Sequence, residues 1–117
     1  MRAIPLLLST VFALATTACG GGRDTAATVS IYKSLGSLQC TGGGLTVSAL
    51  QFQLAAAGIQ AIAASCGLDG NVYPAICGAS DGHIGIFNVP PQDVQLAVTL
   101  GFAALSTLPA AVPQACS

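Results

Sequence analysis

The course of the chain is decided by residues 66–78, CGLDGNVYPAICG, in which Cys66 and Cys77 enclose a loop. The glycine, aspartate, asparagine and proline residues of this stretch are the types that form turns most readily. An apolar segment lies on each side of it, at residues 59–66 and 83–89, and each has the length of a strand. We therefore predict two strands of one sheet that are connected through this loop.

The chain before the loop predicts a strand at residues 28–35 and a helix at residues 46–58. The helix has one apolar stripe, with members three or four residues apart: Val47, Leu50, Leu54 and Ala57. Thr46 suits the N-cap, because its hydroxyl can accept a bond from a free backbone N–H. Gly58 suits the left-handed position just after the helix, with Ile59 packing back against the last turn.

The chain after the loop repeats this order. Pro90 and Pro91 can open a second helix, because the first helical position does not need the missing N–H. Gly101 ends that helix as Gly58 ends the first, and residues 103–108 form a short fourth strand. The order β-α-β-β-α-β predicts an α+β fold, a small ferredoxin-like sandwich stapled by disulfides. Right-handed crossovers would place both helices on one face of an antiparallel sheet.

Composition limits both the core and the class of partner. Of the 117 residues, 53% are hydrophobic and 6% are charged, and there is no Trp. Much of the apolar fraction is Ala, so a single small domain of this kind needs cross-links to be stable. The net charge of -1 argues against nucleic acid as a partner, since nucleic acid requires clustered Lys and Arg.

The N-terminus has the pattern of an export signal. Arg2 precedes an uncharged apolar stretch at residues 4–18, which is too short to span a bilayer. Residues 15–19, ATTAC, resemble the lipobox of bacterial lipoproteins, in which cleavage falls before the cysteine and its thiol carries lipid. The resemblance implies lipidation of Cys19, and Gly20 implies sorting to the outer membrane. An ordinary secretory signal is the alternative.

These features divide the chain into a signal peptide at residues 1–18, a flexible tether at residues 19–27 and one domain at residues 28–117. The tether is small and polar. We expect the domain on the periplasmic side of the cell envelope, held at the outer membrane by two or three acyl chains, since one chain holds only weakly.

The chain has five cysteines. Lipidation of Cys19 leaves four, an even number that suits disulfides in an oxidising compartment. We favour a Cys66–Cys77 bridge, because both residues flank one connection between strands. A Cys40–Cys116 bridge then follows by default, while pairing of Cys40 with Cys66 or Cys77 stays open.

No constellation in the sequence predicts catalysis or a cofactor. His83 lies close to Asp81, but no Ser or Cys nucleophile is identifiable as its partner. Cys40 lies where heavy-metal-associated domains, which share the ferredoxin-like fold, have a metal ligand. The second cysteine of their motif is missing here, and no pair of cysteines has zinc-ligand spacing. Thiol exchange or metal binding through Cys40, Cys66 and Cys77 is the alternative to a non-enzymatic function.

Tyr73 is the best candidate for contact with a partner, because a loop closed by cysteines would hold it as a rigid anchor. We therefore predict a non-enzymatic binding or structural module of the envelope, anchored to the membrane by lipid, with no metal or cofactor. The predicted topology is similar to that of the SPOR domain, which binds peptidoglycan glycan strands. A cell-wall or envelope-protein partner is expected on that basis.

Overall fold

The computed structural model describes residues 27–116. The signal peptide, Cys19 and most of the tether lie outside these residues. The elements are, in chain order, β1 (Val29–Ser34), α1 (Val47–Ala56), β2 (Ala63–Leu68), β3 (His83–Val89), α2 (Val94–Thr99), β4 (Ala103–Ala104) and β5 (Val112–Pro113). One 3₁₀ turn, Pro91–Asp93, leads into α2, and another, Leu105–Thr107, follows β4.

The five strands form one antiparallel sheet in the order β4-β1-β3-β2-β5. The central strand β3 pairs along its whole length, with β1 on one side and β2 on the other. Its bounds are those predicted from the sequence. The protein is therefore a small mixed α/β domain with two disulfides, which confirms the predicted class.

The core lies between the sheet and the two helices. Its members are fully or almost fully buried and come from all the longer elements except β2: Ile31, Leu50, Leu54, Ile59, Phe87, Val89, Ala97 and Phe102. The rings of Phe87 and Phe102 meet edge to face, with centroids 5.8 Å apart. Burial of each large side chain contributes about 1.5–3 kcal/mol. Because the core contains few large side chains, the disulfides are expected to contribute substantially to the stability of the domain.

Both helices end in the way the sequence predicts. After α1, the N–H of Gly58 donates to Ala55 O at 2.9 Å and that of Ile59 donates to Leu54 O at 2.9 Å. The equivalent bonds after α2 are donated by Gly101 and Phe102. Each glycine has a positive φ, which costs glycine little. The apolar residue that follows each glycine is then buried in the core.

The predicted second and fourth strands have the wrong bounds. β2 begins at Ala63 rather than at residue 59, because Ile59 belongs to the end of α1 and is buried there. It also continues past Cys66 to Leu68. β4 stops after two residues, because the next three turn as a 3₁₀ helix in which the Thr107 hydroxyl donates to Ala104 O at 2.7 Å.

The fifth strand is absent from the sequence prediction. β4 lies at the edge of the sheet beside β1, whereas β5 lies at the opposite edge beside β2. The chain between them therefore passes from one edge to the other, and Ala110 comes so close to Gly70 that a Cβ there would lie 2.3 Å from Ala110 O. This segment brings Cys116 to β2.

The favoured Cys66–Cys77 pairing is wrong, and so is the Cys40–Cys116 pairing that followed from it. The bridges join Cys40 to Cys77 and Cys66 to Cys116, with Cα–Cα distances of 5.1 and 5.2 Å. The β2–β3 loop folds over the β1–α1 loop, where the N–H of Gln39 donates to Ala79 O at 2.8 Å. That contact carries Cys77 away from β2 and onto Cys40. The four expected cysteines do form two bridges, and Cys40–Cys77 is one of the pairings that the sequence leaves open.

Candidate functional site

A cleft of about 710 Å³ lies between the N-terminal turn of α1 and the side of β2 that faces the helices. Its polar wall consists of Ser37, Thr46, Ser48, Gln51, Asp81 and His83. Its apolar wall consists of Leu35, Leu45, Val47, Ala64 and Ala115. The Cys66–Cys116 bridge closes one side, so the C-terminal tail is part of the wall. A largely preformed concavity with a few convergent polar groups is the usual form of a binding site.

One carboxylate organises the polar end of the cleft. Asp81 Oδ1 accepts bonds from the Ser37 hydroxyl at 2.8 Å and from the backbone N–H of His83 at 3.0 Å. Asp81 Oδ2 lies 3.0 Å from His83 Nδ1. The side chains of Ser37 and His83 thus both bond to the Asp81 carboxylate, and they do not bond to each other. Ser37 is not activated by an imidazole in this arrangement, which is unlike a nucleophile–base pair.

The contacts of Asp81 shift its acidity in opposite directions. Burial raises the pKa of Asp81, while the bonds from the His83 backbone N–H, from Ser37 and from the His83 ring lower it. The lowering effects prevail, and the pKa of the carboxyl lies below its ordinary value of 3.8. The ionised form is therefore favoured in the folded state, and Asp81 stabilises the fold while it is charged.

We expect this contribution to appear in the pH dependence of unfolding. A lowered folded-state pKa gives stability that is present above the ordinary carboxyl pKa and is lost as the pH falls through the folded value. Asp81→Asn is expected to lower the free energy of unfolding at pH 7 by about 1–2 kcal/mol. As the pH falls below about 4, the variant should also lose less of this free energy than the wild type does. Urea denaturation at several pH values measures both effects.

Asp93→Asn is the control for this prediction, because the Asp93 side chain makes no capping hydrogen bond at the start of α2. The two variants should differ in pH dependence. If they show the same profile, the network around Asp81 does not contribute to stability.

The glycine loop before α1 forms the rim of the cleft. Gly42, Gly43 and Gly44 all have left-handed φ values, of 66°, 76° and 76°. Gly44 is packed against the end of β1, where a Cβ would lie 2.2 Å from Leu35 O. The N–H of Leu45 donates to the same carbonyl at 2.7 Å. This close approach of backbone to backbone positions the N-terminus of α1 beside His83.

Tyr73 lies outside the cleft. Its hydroxyl donates to Asp69 Oδ2 at 2.5 Å, and Asp69 Oδ1 accepts the N–H of Asn71 at 2.9 Å. The ring also stands close to Gly82, where a Cβ would lie 3.3 Å from it. Tyr73 is thus half-buried and holds its own loop together. Its role as a contact residue stays a prediction.

The structure brings only some of the predicted site residues together. Cys66 and Cys116 line the cleft, whereas the Cys40–Cys77 bridge lies on the surface between two loops. The cleft also contains Asp81 and His83, for which the sequence predicted no catalytic role. In this oxidised state Cys40, Cys66 and Cys77 carry no thiolate for exchange or metal binding. Sequence reasoning missed Ala64 and the tail at Ala115–Cys116, whose only signal was the uncertain pairing of the last cysteine.

Residues 27–116 contain no helix with the length and apolar character needed to cross a membrane. This part of the chain also brings no three His, Cys, Asp or Glu side chains together as metal ligands.

No protein-family model matches the chain, and neither a curated protein nor a solved structure matches it significantly. The two disulfides indicate an oxidising compartment outside the cytoplasm.

Proposed function

We propose that this chain is a non-enzymatic binding module of the cell envelope, anchored by lipid on Cys19 to the periplasmic face of the outer membrane. The observation that carries the proposal is the cleft with the Ser37–Asp81–His83 cluster at its polar end. Its wall combines apolar surface with several hydrogen-bonding groups, which suits recognition of a ligand that is itself partly apolar. The absence of a bond between Ser37 and His83 favours binding over hydrolysis.

The placement of the cleft supports the anchor. β1 leads from Val29 at the tether end to Ser34, and Leu35 and Ser37 then line the cleft. A strand of six residues spans about 20 Å. The polar end of the cleft and the start of the domain therefore lie at opposite ends of the sheet. A module tethered through residues 19–27 would present that end of its cleft away from the membrane, toward the cell wall.

Cysteine pairing also supports lipidation. The four cysteines in the described part of the chain are all bonded to one another. Cys19 is then the odd cysteine, as a lipobox requires.

The sheet order and the two helices on one face favour a ferredoxin-like sandwich to which β5 is added at the edge beside β2.

Metabolic labelling with a palmitate analogue tests the anchor. We expect label on the wild-type protein and its loss in Cys19→Ser. An unlabelled wild-type protein, released from the cell, would contradict the lipid anchor and leave the cleft as a separate question.

Sedimentation with purified cell-envelope fragments, containing sacculi and outer membrane, tests the cleft with the delipidated domain. Ser48 is exposed and lines the cleft, so the indole of Ser48→Trp should fill it and weaken binding several-fold. Gln92→Trp adds the same side chain at an exposed position outside the cleft and should bind as the wild type does. Equal binding by both variants would remove the cleft as the site.

A further inference from the structure

The outer edge of β2 is only partly covered. β5 pairs with Gly67 and Leu68, and the N–H of Gln114 donates to Cys66 O at 3.1 Å. Before that point Ala63, Ala64 and Ser65 are exposed. The tail does not continue the pairing, because it turns over the helix-facing side to reach Cys66 through Cys116.

The backbone of Ala64 is directed outward. The N–H of Asp69 donates to Gly82 O at 2.9 Å across the β2–β3 ladder, whereas Cys66 O bonds to the tail on the other side. Backbone groups alternate between the two sides of an antiparallel strand. Ala64 therefore points its N–H and C=O away from β3, toward the side where β5 pairs only with Gly67 and Leu68, and the described residues supply no backbone partner for either group.

This edge lacks the features that protect edge strands from pairing. Residues 60–67 contain no charged residue and no proline, although natural proteins usually place one or the other there. Ile62, just before the strand, is 63% exposed. The side chain of Ala64 also lines the cleft, so the free edge and the cleft are continuous.

We propose that an extended peptide segment of an envelope protein adds antiparallel to β2 beside Ala64 and places every second side chain in the cleft. This inference rests on the proposed binding function and names the class of ligand. The chain's own C-terminal segment already docks in this way on the next residues of the same edge. Backbone bonds to Ala64 would give affinity, and the cleft would select side chains.

The chemistry of the cleft defines the peptide. The only carboxylate among its lining residues is Asp81, which already has three hydrogen-bonding contacts. Leu35, Val47 and Ala64 form an apolar wall. One inward-facing side chain should therefore be uncharged and apolar, and the next inward-facing one should be small and polar so that it can reach His83.

A second copy of this chain fits the edge less well. Antiparallel pairing of two β2 strands about Ala64 would set residue 62 of one copy opposite Cys66 of the other. The carbonyl of that Cys66 is already taken by Gln114, so the tail of each copy would occupy the place of the other's strand. A separate peptide can end beside Ala64, so it needs no bond to Cys66 and does not meet the tail.

A phage-displayed library of random heptapeptides, selected on the disulfide-bonded domain, provides the probe. We expect enriched peptides with apolar residues at alternate positions, and we expect Ala64→Pro to weaken their binding about tenfold or more. The outward-facing N–H of Ala64 is the one that proline removes, and an edge position of this kind tolerates proline. Amide hydrogen exchange at Ala64 in the wild type, slowed by bound peptide, gives a readout that needs no variant.

The outcomes separate this inference from the proposed function. Loss of binding in both Ala64→Pro and Ser48→Trp supports strand addition into the cleft. Loss in Ser48→Trp alone, with unchanged exchange at Ala64, overturns strand addition and leaves the binding function standing. Failure to enrich any peptide, or binding by both variants equal to that of Gln92→Trp, overturns the inference, while envelope sedimentation still tests the function.

Discussion

Replacing Cys66 and Cys116 together by Ser is expected to lower the free energy of unfolding by about 4 kcal/mol. The bridge joins residues that are 50 apart in sequence, and closing a loop of that length removes about this much conformational entropy from the unfolded chain. The whole stability of a domain is about 5–15 kcal/mol, so a loss of this size can bring a domain with a small core close to unfolding. Urea denaturation monitored by circular dichroism measures it.

The double variant Cys40→Ser and Cys77→Ser is the matched comparison. Its bridge spans 37 residues, so the entropic loss is again about 4 kcal/mol. Only the Cys66 and Cys116 variant should also release the tail and open the cleft wall, which makes its peptide binding weaker. Mass spectrometry of non-reduced peptides should recover Cys40–Cys77 and Cys66–Cys116. Recovery of a Cys66–Cys77 peptide would contradict the fold around the cleft.

Gly44→Ala is expected to cost about 3–5 kcal/mol, whereas Gly43→Ala should cost only about 1–2 kcal/mol. Both glycines have a φ of 76°, so both variants are destabilised by an alanine in the left-handed conformation. A Cβ at Gly44 would also lie 2.2 Å from Leu35 O, while nothing lies within 4 Å of one at Gly43. The difference between the variants isolates the backbone contact from the conformational cost.

Thermal and urea unfolding of the two glycine variants measure this difference. Gly44→Ala should also weaken ligand binding, because the loop that positions the start of α1 must move away from β1. Equal stability of the two variants would show that the loop can relax freely, and the rim of the cleft would then not be fixed by this contact.

Local signals predicted the elements that depend on neighbouring residues. The Thr46 cap is present, with its hydroxyl accepting the N–H of Ala49 at 3.0 Å. The glycine ends of both helices and the bounds of β3 also follow from short stretches of sequence. In these cases the hydrogen bonds or the alternation of side chains lie within a few residues, so the pattern alone specifies them.

The features that the sequence did not predict correctly depend on contacts between distant parts of the chain. β5 has two residues and one of them is Pro113, so it has no periodic signal and is tolerated only because it lies at an edge. The disulfide pairing followed from that strand, since β5 is what brings Cys116 to Cys66. The cleft could not be predicted either, because its walls come from the β1–α1 loop, from β2 and from the tail.

The two bridges interleave along the chain, since Cys66 lies between Cys40 and Cys77, and Cys77 lies between Cys66 and Cys116. A single proteolytic cut anywhere between positions 40 and 116 therefore leaves the fragments covalently joined. A protease that nicks an exposed loop would not release a piece of this domain, and the nicked chain would migrate as one species until it is reduced.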